Sequence, residues 1–182
     1  MSRYACWLIA FLLMACTADE SISRDYRCSF IFDTSLHPLP CQLTGIIGNT
    51  GHFCKVSASL SQGITHLKTV RNYDGATEDV ALTTAKESQI TYALGANNSL
   101  IIGTSSYDFV LKAYDGQCPN CLSDNSGVNY PLTWQNNGQQ LHCAKCRRSY
   151  DVNNGVVADG PSGRQLLAYR AAFDGSVLRA WN

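Results

Sequence analysis

The stretch PLTWQNNGQQLHCAKCRRSY, residues 131–150, joins two patterns that point to one architecture. Its first half is a hairpin. Two short β-prone arms flank Asn137-Gly138, a pair suited to the positive φ angles of a two-residue turn. Its second half carries Cys143 and Cys146 in a C-x2-C spacing, directly after the outgoing arm. A matching pair, Cys118 and Cys121, lies upstream in GQCPNCLSDN, residues 116–125. Twenty-one residues separate Cys121 from Cys143, close to the spacing of four-cysteine zinc sites.

Three chemistries compete for these cysteines. CPNC has the C-P-x-C form of thiol-disulfide oxidoreductases, whose first thiol needs a helix N-terminus to lower its pKa. The residues after Cys121, LSDNSGVNYP, predict a loop, which removes that activating element. Structural disulfides are a second option in an oxidising compartment. A bridge within C-x-x-C would restrain the unfolded chain little, so bridges between the pairs would serve better. The third option is one metal held by Cys118, Cys121, Cys143 and Cys146. Two tight turns with two sulfurs each build a closed tetrahedral S4 site, suited to zinc or to an iron–sulfur centre. Zinc is the expected metal, with a [2Fe-2S] cluster or a single iron as the alternative. Four thiolates on zinc leave a charge of minus two, which Lys145, Arg147 and Arg148 can offset unless they form an ordinary solvated cluster. His142 is expected as a solvent-facing strand residue, because four sulfurs already complete the tetrahedron.

Outward from this centre, the chain reads as mostly β. RCSFIFD alternates, placing Cys28, Phe30 and Phe32 on one face. HFCKVSASL, THLKTVRNY, EDVALTT, LIIGTS and VLKAYD are further strand candidates. QLLAYRAAF and SVLRAW form a closing hairpin about Asp174-Gly175. TAKESQITYAL is the one helix candidate, near 85–94, with Thr84 and Glu87 as its capping box and Gly95 as its stop. Of the cysteines outside the motifs, Cys28 is expected as a buried free thiol, and Cys41 and Cys54 as a possible disulfide.

The front of the chain, MSRYACWLIAFLLMAC, has one charge before an apolar run too short to span a bilayer, for which ~20 residues are needed. It fits a signal peptide, with a plain secretory signal as the bland alternative. Its end, LMAC, resembles the lipobox of bacterial lipoproteins, which implies lipidation of Cys16 as the mature N-terminus. The expected organisation is a signal over 1–15, a lipidated tether over 16–23 and one β domain over 24–182, with a metal subdomain at about 116–150. The lipid bilayer is then a partner, and the location is a bacterial membrane. The outer membrane is expected, facing the periplasm or the cell surface. Fourteen basic and fourteen acidic side chains give no net charge, so nucleic acid is not expected. No Ser–His–Asp order, phosphate-cradling glycine loop or acidic pair suggests an enzyme.

Residues 103–182 resemble a Rieske-type domain. AYDGQCPNC, LHCAKCRRSYDVNNGVVADGP and LLAYRAAFDGSVLRAW carry the likeness, with Gly155, Val157, Gly160, Pro161 and Tyr169 in a similar pattern. The whole mature chain looks like the uncharacterised Rieske-like bacterial lipoproteins. The resemblance implies an antiparallel β sandwich or partial barrel with two metal-binding loops at its tip. It also marks a departure. Cys121 and Cys146 stand where a Rieske centre has the histidines that raise its potential, so the family's redox role does not carry over.

Overall fold

The computed structural model describes residues 22–182. The signal-like stretch, Cys16 and the tether as far as 21 lie outside the described residues. Among the described residues, the strands pair antiparallel and form two layers, in keeping with an all-β fold, and two isolated bridges, Ile22 with Ala168 and Thr50 with Thr104, are parallel.

The larger layer is a nine-stranded sheet. It contains β1 (Cys28–Asp33), β2 (Phe53–Ser61), β3 (Ile64–Arg71), β4 (Thr77–Leu82), β5 (Ala93–Leu94), β6 (Leu100–Thr104) and β7 (Leu111–Asp115). The smaller layer has four strands: β8 (Leu132–Gln135), β9 (Gln140–Cys143), β10 (Ser149–Asp151) and β11 (Val157–Asp159). The chain then returns to the large sheet as β12 (Ala168–Phe173) and β13 (Val177–Trp181). Strand order in the large sheet is β4-β3-β2-β6-β7-β12-β13-β1-β5. Two short helices, α1 (Gln42–Gly45) and α2 (Pro119–Asp124), complete the fold.

Register shows how one sheet makes two cores. Cys54 pairs with Ile102, Ile102 with Ala113, and Ala113 with Tyr169. Across the rest of the sheet, Ala171 pairs with Ala180, and Ala180 with Phe30. Directly paired residues share a face, so these side chains line one continuous surface. Val80 and Leu82 from one end and Phe30 and Leu94 from the other belong to the same buried cluster. The sheet must therefore curl around its own core, as a partial barrel does. The alternate residues Phe53, Ile101, Tyr114 and Ala168 face outward, yet they are buried too. They form the second core, with Leu132, Leu141 and Tyr150 of the smaller layer and with Val152 and Leu166 from the segments that follow β10 and β11. Burial on both faces explains why LIIGT of β6 is apolar without alternation.

Three expectations change. The helix expected near 85–94 shrinks to one 3-10 turn, Glu87–Gln89. The capping box does form, since Thr84 N and Oγ1 donate to Glu87 Oε2 at 3.0 and 2.7 Å. Beyond it, β-branched Ile90 and Thr91 resist helix, and Ala93 and Leu94 pair with Ser29 and Cys28 as an edge strand. The β8–β9 turn centres one residue early, on Asn136 and Asn137, with φ of 51° and 52°. Gly138 follows, also at positive φ, where a Cβ would lie 2.4 Å from Asn72 O; only glycine allows that approach. The expected Cys41–Cys54 bridge is not formed. Cys41 starts α1, while the Cys54 thiol faces Gln42 O at 3.9 Å. Cys28 is a buried free thiol, as expected.

Candidate metal centre

The first cysteine pair is held by the end of β7. Asp115 is fully buried and accepts from Ala96 N, Gln117 N and Tyr169 Oη at 2.7, 2.8 and 2.7 Å. Burial raises its carboxyl pKa, and these three bonds act against that rise. Gln117 accepts in turn from Tyr130 N at 2.6 Å, and Cys118 N donates to Tyr130 O at 2.8 Å. Cys118 then caps α2, with Pro119 at its first position, where the missing N–H is no loss. This corrects the expectation of a loop after Cys121. The polar run SDN ends the helix at Asp124 but does not prevent one turn and a half.

The second pair leaves β9. Arg147 N donates to Cys143 O at 2.8 Å, and Cys143 N to Arg148 O at 2.9 Å. Arg147 takes a φ of 58°, which turns the chain back into β10. The smaller layer runs on to Asp159, past the expected limit near 150, because β10 and β11 extend it. These three-residue strands are too short to show alternation, and a bulge interrupts their pairing.

The two turns bring all four sulfurs together. Cys118, Cys121, Cys143 and Cys146 have their Sγ atoms within 4.8 Å of one another. Cys118 Sγ lies 3.5 Å from Cys146 Sγ, and Cys121 Sγ 3.7 Å from Cys143 Sγ. A tetrahedron with metal–sulfur bonds of about 2.3 Å has edges of about 3.8 Å. The cluster can hold a metal ion, and it is the only group of its kind among the described residues.

Burial and charge divide the four. Cys118, Cys121 and Cys143 are buried, while Cys146 is partly exposed. Burial pushes the Cys118 thiol up to about 11, although a bond from Tyr150 pulls it back in part. Burial raises Cys121 as well. At Cys146 burial opposes ionisation too, but hydrogen bonds from Arg148 outweigh it and bring the thiol down to about 7. Arg148 is thus the cation beside the sulfurs, whereas Lys145 and Arg147 are exposed. His142 bonds Ser149 Oγ at 3.1 Å and is not part of the cluster, as expected for a strand residue.

Sequence reasoning missed the polar groups that hold these cysteines. Tyr150, fully buried, has its hydroxyl 3.2 Å from Cys118 Sγ. Asn120 Nδ2 donates to that hydroxyl oxygen at 2.8 Å, which leaves the Tyr150 proton for the sulfur. Asn120 also bonds the backbone of Arg164 on both sides, through Nδ2 to O at 3.0 Å and Oδ1 from N at 2.9 Å. Arg148 donates to Pro161 O and Ser162 O, each at 3.0 Å. Segment 161–164 is thereby tied to both cysteine turns. Gly163 permits this approach, since a Cβ there would sit 2.3 Å from Asn120 Oδ1. Tyr169 serves Asp115 rather than the sulfurs. The available signals were the Asn inside CPNC and the Tyr after CRRS.

No protein-family model, curated protein or solved structure matches this chain.

Proposed function

We propose that the protein is a membrane-anchored lipoprotein whose β domain is clamped by one zinc ion held by Cys118, Cys121, Cys143 and Cys146. Its role is binding or structural, not catalysis at the metal. The observation that carries this reading is the compactness of the sulfur cluster, with every Sγ within 4.8 Å of the others. Two irons in a [2Fe-2S] cluster would divide the sulfurs into two sets, and sulfurs on different irons would stand well apart. One tetrahedral ion suits the observed spacing, and with four protein ligands no position is left for a reactive water. Metal binding would then count directly towards folding, because it joins α2 to the β9–β10 turn.

A single iron is the second reading, as the centre of a membrane-anchored electron carrier. It is favoured by Cys146, the one ligand at the surface, where an electron could reach a partner. The thiol-disulfide oxidoreductase reading is weakened. The helix it needs is present, but Cys118 has no exposed surface and its thiol is raised, the reverse of an activated nucleophile.

The Rieske-type likeness rests on the quoted motifs of residues 103–182 and is compatible with two cysteine turns meeting at one small antiparallel layer. The anchor rests on LMAC and the short apolar run before it. Ser23 N already bonds Ala168 O at 2.8 Å, so only residues 16–21 would separate a lipidated Cys16 from the folded domain. Six residues reach at most ~20 Å, which would hold the domain close to an outer-membrane surface.

The test is metal analysis of natively purified protein, with single Cys→Ser substitutions at the four positions. One zinc per chain, no visible absorption, and similar losses of metal and melting temperature in all four variants are expected. A metal-free protein whose melting ignores a strong chelator would overturn the site. Iron with a visible chromophore would replace zinc by the second reading. Separately, Cys16→Ser should abolish fatty-acid labelling and release the protein from membranes.

A further inference from the structure

A second candidate site lies where the two layers part company. On the outer face of the large sheet, Lys55 and Ser57 of β2 stand beside Val70 and Lys68 of β3, their paired residues. Strand β8, the edge of the smaller layer, overhangs them with Leu132, Thr133 and Trp134. These seven residues line an open cleft of about 240 Å3. That is below the ~300–1,000 Å3 of pockets for drug-sized ligands, so a smaller molecule fits.

The charge in this cleft is one-sided. Lys55 is half-buried and donates to Leu132 O at 2.9 Å, which uses one of its three N–H groups. No carboxylate pairs with it among the described residues, and burial alone lowers its pKa. Lys68 is exposed at the mouth. The nearest carboxylate by register is Asp79 on β4, opposite Lys68. It accepts from His66 Nδ1 at 2.7 Å and does not line the cleft. The wall is an indole, fixed by Trp134 Nε1 donating to Val70 O at 3.2 Å. A partly desolvated ammonium is costly unless an anion meets it, and a rigid indole offers a flat apolar surface.

We propose that this cleft binds a small organic anion, a carboxylate or phosphate carried on a flat apolar body, with the anionic group between Lys55 and Lys68 and the body against Trp134. Ser57 lines the same space, and its hydroxyl supplies a further donor. The site uses none of the four clustered cysteines and does not rest on the lipoprotein reading.

The experiment is NMR titration of the purified protein with benzoate, phenyl phosphate, inorganic phosphate and benzyl alcohol. Saturable shifts at Lys68, Thr133 and the Trp134 indole are expected with benzoate or phenyl phosphate, and which of the two binds tighter assigns the anionic group. Lys68→Met, on an exposed side chain, should keep the fold and weaken binding about tenfold. Lys55→Met should weaken it further, but it also removes the bond to Leu132, so Lys68→Met carries the test. Absence of saturable shifts, equal binding of benzyl alcohol, equal binding of inorganic phosphate, or unchanged affinity in Lys68→Met would each overturn the proposal.

Discussion

Tyr150→Phe tests whether the metal centre is held by the polar network around it. The substitution removes one hydroxyl and nothing else of consequence. The ring keeps its place in the second core, so no cavity opens. Asn120 Nδ2 keeps Arg164 O at 3.0 Å but loses the Tyr150 oxygen as partner of its second N–H, a cost that falls on the metal-free and metal-bound forms alike. At the sulfurs the loss is the hydroxyl bond to Cys118 Sγ, 3.2 Å long. On a metal-bound sulfur that bond is made to an anion, worth about 1.5–3 kcal/mol. At 1.4 kcal/mol per decade, metal affinity should fall about 10- to 100-fold, the range found for groups that orient metal ligands. Competition against a chromophoric zinc chelator measures this directly. Tyr169→Phe is the control. It breaks a bond of 2.7 Å to Asp115 and should lower stability while leaving zinc affinity within about twofold. Unchanged affinity in Tyr150→Phe, or an equal fall in both variants, would refute the assignment of Tyr150 to the site.

Two further outcomes are expected. Phe53→Ala should cost about 3–5 kcal/mol in urea denaturation, because Phe53 has no exposed surface and anchors the smaller layer to the large sheet. A loss below ~1 kcal/mol would show that the layers do not depend on that contact. Glu87→Gln should flatten the acid end of the stability profile. Burial would raise the Glu87 carboxyl, but bonds from Thr84 and His37 outweigh it and hold the group below its ordinary value. Its contribution is complete above the unfolded value of ~4.3 and fades as pH falls through the folded one. Melting temperatures of wild type and variant should therefore converge below about pH 4, and parallel curves down to pH 3 would refute this.

Local pattern carried much of the fold. Cys28, Phe30 and Phe32 alternate because every second residue of β1 meets the core, and period two is visible in any single strand. Asp174-Gly175 marks a hairpin for the same local reason, since its turn demands its own backbone angles. The two C-x2-C motifs named the four cysteines that cluster, because each pair sits on one turn of chain.

Only tertiary structure decided the rest. Residues 84–94 carry a sound capping box, yet the strand edge offered by β1 draws Ala93 and Leu94 away from helix, and that edge is over sixty residues distant in sequence. Strand β6 faces two cores because the smaller layer, supplied by residues 132–159, covers its outer side. Nothing within LIIGT says so. Tyr150 and Asn120 joined the cysteine cluster only when β10 packed against α2, thirty residues apart along the chain. A sequence displays the preferences of neighbours along the chain, whereas burial, charge pairing and ligand support depend on which distant segments the fold places in contact.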